Sequence, residues 1–315
     1  MINLIPHSKP YLRDEESKAL SDVIKSFNIE DSNWTTKFGN LIKNYLGLKN
    51  LTFTSSGTHA LSAILEILEI KEGDEVILPT YVCESILIEL LNKKAVPVFC
   101  EIDGWVSNEK LISEKISSKT KAIIIVHLFG IECSFEKLKK YKIPIIEDCC
   151  QSFGLKINHK FSGAIGDFSF FSFHPTKCLT TGEGGAFSIN NEKFENNYSL
   201  NNIFIFKMSN LNSSLGYYQL LDYDSFLKKR EKIAQSYLRI LFKHNIKYNY
   251  KNSIWFRFPL IVSDDKFFIE FFKQRGITIR KGVDNLLHKK FNYDERLILS
   301  EHIFNHTVSI PIYPA

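Results

Sequence analysis

Two side chains near the middle of the chain could carry acid–base and covalent chemistry. Lys177 lies in the apolar stretch FSFFSFHPTKCL. A lysine in such surroundings costs free energy unless it loses its proton or its nitrogen is bonded elsewhere, and one use of such a lysine is a Schiff base to an aldehyde cofactor. The alternative is a lysine whose stem packs while its ammonium reaches the solvent.

A carboxylate follows an apolar run 29 residues before Lys177, in IPIIEDCCQSFG. Asp148 ends that run, and ligands of open α/β sheets lie at the carboxyl ends of the strands. The alternative is a cap for the segment that follows. We therefore treat Asp148 as a candidate partner for a ligand.

A third segment, TSSGTHAL (54–61), indicates an anion site. The pattern predicts a strand that ends, a turn at Gly57 and a helix that opens at Thr58. Free N–H groups at a helix N-terminus favour an anion, and a hydroxyl adds a donor. An ordinary Ser or Thr cap is the alternative interpretation.

The elements that must position these groups alternate between strands and helices. Short β-rich runs at 75–78, 95–99, 121–126 and 143–148 are separated by predicted helices at 83–93, 108–115 and 134–141. This alternation predicts an α/β fold with a mostly parallel sheet. A long helix over 223–244, a strand at 254–262, a helix at 264–275 and a strand at 277–281 predict a smaller α+β domain. We place the boundary between residues 1–220 and 221–315.

Composition excludes several classes of protein. Hydrophobic residues make up 44% and charged residues 24% of 315 residues, which excludes a largely disordered chain. The net charge of +5 is spread along the chain, so we predict no nucleic-acid partner. The apolar runs are too short for a membrane span. No two of the six cysteines have metal-ligand spacing, so we predict no metal and a reducing, cytoplasmic location.

The order of these segments resembles one family, the DegT-type sugar aminotransferases. TSSGTHAL, LPTYVCES, the strand ending in EDCCQSFG, and GDFSFFSFHPTKCLTTGEGG follow one another as they do in that family. The resemblance extends from IPHSKPYL, through LGYYQL, to VSIPIYPA, which is nearly the whole chain. It implies a fold-type-I pyridoxal-phosphate enzyme, with a large domain around a mostly parallel mixed sheet and a smaller C-terminal α+β domain.

The resemblance also implies roles for particular residues. Lys177 matches the lysine that holds pyridoxal 5′-phosphate and moves the substrate proton. Asp148 matches the carboxylate that keeps the pyridine nitrogen protonated by a charge-assisted bond. Gln151 matches the glutamine near the ring hydroxyl. The aromatic residue that stacks on the ring matches Tyr81.

Phosphate contacts of the family match Gly57, Thr58 and Ser172. His174 and His288 are candidates for contact with the substrate, although a histidine packed in its own turn is the alternative for His174. We expect His127 and Phe129, in VHLFG, to line the cofactor cleft. Six of the 15 glycines fall between residues 154 and 185, and we expect this cluster to frame Lys177 and the cofactor.

For the other candidate residues we expect structural rather than chemical roles. Arg257 and Arg280 could bind a carboxylate or a phosphate, but we expect them to form surface ion pairs. Cys149 and Cys150 are expected to be packing residues, since adjacent cysteines rarely bridge without strain. We assign Glu183, in the GEGG turn, no role in the chemistry.

The sequence departs from the family in the segment before IFIFKM (203–208). Aligned on Met208, the asparagine that reaches the phosphate in the partner subunit falls on Ile205, and isoleucine cannot make that contact. Asn201 or Asn202 could replace it, or the contact could be lost. The segment is also shorter than in relatives, which affects the expected sugar-nucleotide pocket.

Transfer of an amino group is the activity that the resemblance implies. The donor would be an amino acid, L-glutamate, and the acceptor a nucleotide-linked keto-sugar for surface polysaccharide or glycoconjugate synthesis. The resemblance also implies a homodimer with active sites at the interface. A sugar dehydratase or deoxygenase on the same scaffold is one alternative, although colitose-type dehydratases carry histidine in place of Lys177. A non-catalytic relative that binds the cofactor is the other.

Overall fold

The computed structural model describes residues 4–30, 33–197, 207–248 and 252–314. Its strands lie where apolar runs occur in the sequence, and most of their side chains are buried. In chain order they are β1 (Thr52–Thr54), β2 (Glu75–Pro79), β3 (Val96–Cys100), β4 (Thr120–Val126), β5 (Ile145–Asp148), β6 (Lys156–Ile157), β7 (Lys160–Phe161), β8 (Phe168–Ser172), β9 (Gly185–Ile189), β10 (Phe258–Ile261), β11 (Arg280–Lys281) and β12 (Thr307–Ile310).

Seven of these strands form the central sheet, in the order β1-β9-β8-β5-β4-β2-β3. The pairs β2–β3, β2–β4, β4–β5 and β5–β8 are parallel. Strand β9 is antiparallel to both of its neighbours, β1 and β8. The predicted α/β fold with a mostly parallel mixed sheet is therefore confirmed. Its consequence for the site is that the carboxyl ends of β1, β4, β5 and β8 lie along one edge.

Ten α-helices connect and cover the strands in the described residues. They are α1 (Asp14–Lys25), α2 (Asn33–Leu46), α3 (Gly57–Ile67), α4 (Glu84–Asn92), α5 (Glu109–Ser113), α6 (Asn210–Leu221), α7 (Tyr223–Lys243), α8 (Asp265–Lys273), α9 (Leu287–Lys290) and α10 (Ile298–His306). The helix predicted at 134–141 is a 3₁₀ helix, Glu136–Tyr141. None of the helices in the described ranges is both long and apolar enough to cross a bilayer.

Helices α6 and α10 were not predicted, and each has a physical reason. The buried face of α6 is built largely from small and polar residues, among them Ser213, Ser214 and Gln219, so it lacks an apolar stripe. Helix α10 places Ile298 and Leu299 at the surface, 66% and 52% exposed. Hydrophobic periodicity predicts neither helix, because tertiary contacts rather than an apolar face hold them.

A second sheet lies in the C-terminal part of the chain, with β12 between β10 and β11 in antiparallel pairing. The N-terminal segment reaches this sheet: Ile5 forms a parallel bridge with Ile277, and the His7 imidazole bonds to the Ser309 hydroxyl at 2.9 Å. Trp105 Nε1 also donates to Thr307 Oγ1 at 3.1 Å. The boundary between 1–220 and 221–315 stays a prediction, and extensive contacts cross it.

Candidate active site

A cleft of about 550 Å³ opens at the edge of the central sheet where three strands end and one helix begins. Val126, Asp148 and Ser172 are the last residues of β4, β5 and β8, and Gly57 is the first residue of α3. This is the place where open α/β sheets bind ligands. Small-molecule sites have volumes of about 300–1,000 Å³, so the cleft can hold a cofactor and part of a substrate.

The cleft brings together seven of the nine site residues predicted from the sequence. They are Gly57, Thr58, Asp148, Gln151, Ser172, His174 and Lys177. The other two, Tyr81 and His288, lie elsewhere. The roles of the seven residues stay predictions, and their convergence in one cleft is the structural fact.

The N-terminus of α3 forms a cradle at one end of the cleft. Ser56 is the N-cap and accepts a hydrogen bond from the His59 amide at 3.2 Å. The helix packs tightly here, because a Cβ at Gly57 would lie 2.9 Å from the Ser172 Cβ. A Cβ at Gly185 would lie 2.3 Å from the backbone of Ser56. Two glycines therefore let β8 and β9 approach the helix, and amide and hydroxyl donors gather where an anion is favoured.

Asp148 lies on the floor of the cleft and is 7% exposed. Its Oδ1 accepts a hydrogen bond from the Cys150 amide at 2.9 Å. Burial raises the pKa of the Asp148 carboxyl, and the Cys150 amide and the charge of Lys177 oppose that rise. A ligand with a charged N–H group would relieve the cost of burial. The ring nitrogen of pyridoxal phosphate is such a group.

Lys177 follows β8 and is partly buried at the cleft. Its amide donates to the His174 carbonyl at 2.9 Å, within the turn that the sequence HPTK forms. Its Nζ lies over the Phe256 ring, 5.4 Å from the centroid. The ammonium therefore lies between the cleft and an aromatic side chain from the C-terminal part of the chain.

Gln151 links the cleft to the turn after β4. Its Oε1 accepts a hydrogen bond from the Phe129 amide at 2.7 Å, which assigns the amide orientation. Phe129 adopts a left-handed conformation with φ of 59°. The Nε2 group of Gln151 therefore remains a donor for an oxygen in the cleft, as a ring hydroxyl would provide.

The expectation that His127 and Phe129 line the cleft is wrong, because both side chains are buried and their neighbours Val126 and Leu128 line it instead. The His127 Nδ1 accepts from the Cys133 amide at 3.1 Å, so the ring proton is on Nε2. That Nε2 donates to Glu147 Oε2 at 3.3 Å. His127 is part of the support behind the cleft.

Glu147 explains a second departure from expectation, which concerns the glycine cluster. Its Oε2 accepts from the Gly163 amide at 3.0 Å, and its Oε1 accepts from the amides of Ile165 and Gly166 at 2.8 and 2.6 Å. These two glycines therefore shape a turn around a buried carboxylate rather than around Lys177. Of the cluster, Gly184 and Gly185 lie near the cleft, at the start of β9. Sequence reasoning did not separate the two sets.

Tyr81 is not among the residues that line the cleft, and its stacking on the cofactor ring stays a prediction. Its side chain is 1% exposed and packs edge-on against Phe129 and Phe304, with ring centroids 6.3 and 6.4 Å away. Its hydroxyl fills the space above Gly282, where a Cβ would lie 2.0 Å from it. Burial raises the pKa of the phenol. Ile86, the residue after the LPTYVCES segment, places an apolar side chain at the cleft.

His288 is not among the residues that line the cleft, and its contact with a substrate stays a prediction. It is fully buried, and its Nδ1 lies 2.7 Å from the Thr80 hydroxyl. The Thr80 Oγ1 accepts from the His288 amide at 3.2 Å, so the hydroxyl donates to Nδ1. The Nε2 group faces Glu301 at 3.4 Å. His288 fixes α9 against β2.

His174 is exposed at the mouth of the cleft. Its Nδ1 accepts from the Thr176 amide at 3.2 Å, and its Nε2 lies 3.8 Å from Glu183 Oε1. Glu183, for which we predicted no role in the chemistry, lines the cleft as well, as do Cys83, Ser85 and Asp284. Cys83 and Ser85 lie in the LPTYVCES segment and Glu183 in GEGG, whereas no motif of the sequence analysis contains Asp284.

Ile205, Asn201 and Asn202, which bear on the expected contact with a partner subunit, lie outside the described residues. Met208, on which that alignment rests, is 2% exposed, and its Cε would lie 2.4 Å from a Cβ at Gly184. All six cysteines are free thiols. The expected packing role of Cys149 agrees with its complete burial, whereas Cys150 lines the cleft.

Comparison with known proteins identifies the class of this cleft. The sequence profile of the DegT/DnrJ/EryC1/StrS aminotransferase family matches residues 10–315. GDP-perosamine synthase from Vibrio cholerae is 33% identical, over 74% of this chain and 70% of that protein. A dTDP-3-amino-3,6-dideoxy-alpha-D-galactopyranose transaminase from Aneurinibacillus thermoaerophilus is 31% identical, over 86% of this chain and 82% of the transaminase. The crystal structure of the aminotransferase TlmJ from Streptoalloteichus hindustanus has the same fold. It superposes with a TM-score of 0.91 at 21% identity and covers 99% of this chain and 94% of TlmJ.

Proposed function

The chain belongs to the DegT/DnrJ/EryC1/StrS aminotransferase family, and from this premise we propose that it is a pyridoxal-phosphate enzyme that aminates a keto-sugar. The amino group comes from an amino acid, L-glutamate, and the acceptor is linked to a nucleotide. The product serves surface polysaccharide or glycoconjugate synthesis. The two named relatives act on GDP- and dTDP-linked sugars according to their names, so the nucleotide of this enzyme is not assigned.

One observation carries the proposal: three groups that the cofactor needs converge on one cleft. Lys177 provides the amine for the aldehyde, Asp148 provides a carboxylate for the ring nitrogen, and the start of α3 provides donors for the phosphate. The Asp148 carboxyl already bonds to Cys150, whereas Gln151 Nε2 has no hydrogen-bond partner in the described residues. The residues present therefore fit pyridoxal phosphate.

Bound there, the cofactor supplies an electron sink that stabilises negative charge on the donor's α-carbon. Asp148 would hold a proton on the ring nitrogen through a charge-assisted bond. Lys177 Nζ would be the base that takes the proton from the α-carbon, since Lys177 is the lysine among the described residues that line the cleft. Gly57, Thr58 and Ser172 would hold the phosphate and so fix the ring. Ile86 and Leu128 supply apolar contacts that exclude water.

Two further parts of the proposal concern the assembly and the compartment. We propose a homodimer whose active sites lie at the interface. Light scattering at micromolar protein would measure a dimer, and a monomer that retains activity would contradict this arrangement. The six free thiols support a reducing compartment, and we place the enzyme in the cytoplasm.

The colour of the purified protein tests the cofactor. We expect protein supplied with pyridoxal phosphate to absorb visible light, and borohydride to fix the cofactor covalently to Lys177, as peptide mass spectrometry would show. Lys177→Ala should abolish both signals. Lys140→Ala, which removes an exposed lysine, should change neither. A protein that stays colourless at saturating cofactor would contradict the proposal.

The amino donor is tested by spectral change. Addition of L-glutamate should remove the visible band as the cofactor accepts the amino group, and a panel of nucleotide-linked keto-sugars should restore it. A band that ignores every amino donor would favour a dehydratase, and protein that binds cofactor without either reaction would favour a non-catalytic relative. Lys177 stands against the dehydratase alternative, because colitose-type dehydratases carry histidine at that position.

A further inference from the structure

A second cavity lies at the edge of the central sheet opposite to the cleft, and its volume is about 670 Å³. Of its lining residues, Asp167 immediately precedes β8, and Asn190 immediately follows β9, which is antiparallel to β8. Ile143 lies two residues before β5. The cavity therefore lies where the parallel strands begin, whereas the cleft lies where they end. The strands between the two sites have four to seven residues and span roughly 13–23 Å.

Hydrogen bonds between distant segments hold the floor of this cavity. The Asn190 Nδ2 group donates to the carbonyl oxygens of Gly163 and Gly166, at 2.8 and 3.0 Å. The turn between these two glycines is the one that binds the buried carboxylate on its other side. Asp167 Oδ2 accepts from the Ile145 amide at 2.9 Å, which ties the start of β8 to the start of β5. The floor therefore keeps its shape without a ligand.

Lysines from separate parts of the chain line this cavity. They are Lys139, Lys142, Lys160 and Lys193. Lys121 lines an adjoining cavity of about 320 Å³, which shares Lys142 and Lys193 with the first. All five side chains are exposed, and none of them forms an ion pair with a carboxylate in the described ranges. The fold therefore gathers on one concave surface a positive charge that is spread along the sequence.

The two carboxylates that line the larger cavity have partners other than these lysines. Asp167 Oδ1 accepts from Asn191 Nδ2 at 2.5 Å, in addition to the bond that its Oδ2 accepts. Glu192 pairs with Lys49, which does not line the cavity. The ammonium groups of the cavity therefore outnumber its carboxylates and are not paired with them. A concave surface that carries charges of one sign concentrates their field and attracts counter-ions.

We propose that this cavity binds a small anion that carries two or more phosphate groups. An ammonium group offers three donors and no acceptor, and phosphate oxygens are strong acceptors for it. A monoanion meets one or two of the lysines, whereas a diphosphate has enough charge and oxygens to bridge several. The volume lies within the range of small-molecule sites, about 300–1,000 Å³, and the concave shape fits a compact molecule better than a flat lipid surface. None of the lysines lines the cleft, so the inference does not rest on the proposed function.

The first experiment measures the binding of inorganic pyrophosphate by calorimetry at about 0.1 M salt. The native protein should bind it saturably, with a dissociation constant below about 1 mM. The double variant Lys142→Gln, Lys193→Gln should raise that constant about 10- to 100-fold, because these lysines line both cavities. The double variant Lys18→Gln, Lys266→Gln removes the same charge from exposed positions on α1 and α8 and should bind as the native protein does. Absence of saturable binding, or equal losses in the two double variants, would overturn the proposal.

The second experiment separates this cavity from the cleft and from a structural role of the lysines. Ser172→Ala changes the cleft and should leave the binding of pyrophosphate as in the native protein. Weaker binding in Ser172→Ala, with native binding in the variant Lys142→Gln, Lys193→Gln, would place the anion in the cleft and refute the inference. Pyrophosphate should raise the melting temperature of the native protein but not of that double variant. The charge-preserving variant Lys142→Arg, Lys193→Arg should retain binding, and loss of binding there would contradict recognition by charge.

The source of the diphosphate is tested by comparing ligands on the same variants. A lower dissociation constant for GDP or dTDP than for pyrophosphate, lost in Lys142→Gln, Lys193→Gln, would identify a nucleotide, and equal constants would identify the free diphosphate. Binding of phosphatidylglycerol vesicles or of polyglutamate through these lysines, without affinity for pyrophosphate, would show a membrane or an acidic protein as the partner and refute the proposal. A protein that stays colourless with pyridoxal phosphate would contradict the proposed function and leave these binding results unaffected.

Discussion

Glu147→Gln should lower the free energy of unfolding, although glutamine has the same number of heavy atoms as glutamate and nearly the same shape. Both oxygens of Glu147 are acceptors: Oε1 for the amides of Ile165 and Gly166, and Oε2 for the Gly163 amide and His127 Nε2. Glutamine has one acceptor and one donor. Whichever way its amide is turned, its NH₂ group faces two donors.

The magnitude follows from that count. Each buried donor left without an acceptor costs about 1–3 kcal/mol, and two are left in either orientation. The free energy of unfolding of Glu147→Gln should therefore fall by roughly 2–6 kcal/mol. His127 cannot escape by moving its proton, because Nδ1 already accepts from the Cys133 amide. The turn at 163–166 should loosen first, since its amides are the ones that lose their acceptor.

Urea unfolding of the protein without cofactor, followed by tryptophan fluorescence at neutral pH, measures this effect. Glu66→Gln is the matched control, because Glu66 is exposed and pairs only with Lys93 at the surface. Such pairs contribute about 0–1 kcal/mol. If Glu147→Gln unfolds within 1 kcal/mol of the native protein while the control does the same, the carboxylate does not organise the turn and the reasoning is refuted.

Three further predictions follow from the geometry. Without cofactor at pH 7, Asp148→Asn should not lower the free energy of unfolding, because burial raises the pKa of the Asp148 carboxyl and makes its charged form costly. Any stability that the variant gains over the native protein should shrink as the pH falls toward 4. In a fluorescence titration the variant should bind the cofactor about 10- to 100-fold more weakly. Gly57→Ala places a Cβ 2.9 Å from the Ser172 Cβ, so the free energy of unfolding should fall by about 1–3 kcal/mol and the affinity for phosphate should fall as well. If the variant bound inorganic phosphate as tightly as the native protein, the start of α3 would not be the phosphate site. His7 has a pKa lowered to about 3, below its unfolded value, so it takes up a proton on unfolding; stability should fall by up to about 1.4 kcal/mol per pH unit from pH 6.5 downward, and His7→Asn should flatten that slope.

Much of the fold could be predicted because the strands of the central sheet are continuously apolar. Strand β4 is buried from Ala122 to Val126, and its run in the sequence predicts it within one residue. The start of α3 is equally local, since TSSG contains its cap and its turn. Local patterns of this kind need no knowledge of distant residues.

The positions that escaped prediction depend on partners far away in the chain. His288 was expected at the substrate because LLHKK resembles the stretch with the family's C-terminal histidine, whereas here its ring bonds to Thr80, 208 residues earlier. Tyr81 was expected on the cofactor ring, yet Gly282 leaves a space that its hydroxyl fills. Arg257 was expected to form a surface ion pair, yet no carboxylate of the described residues pairs with it. No spacing in the sequence encodes these pairings.

The attachment of the N-terminal segment to the C-terminal sheet affects how the chain folds as it is made. Ile5 pairs with Ile277, and the His7 and Ser309 that bond to each other are 302 residues apart. At a synthesis rate of about 5–20 residues per second, this segment waits roughly 15–60 seconds for its partner to leave the ribosome. During that interval Leu4 and Ile5 remain available to chaperones, and the C-terminal sheet acquires its N-terminal bridge at Ile5 only after Ile277 has been synthesised.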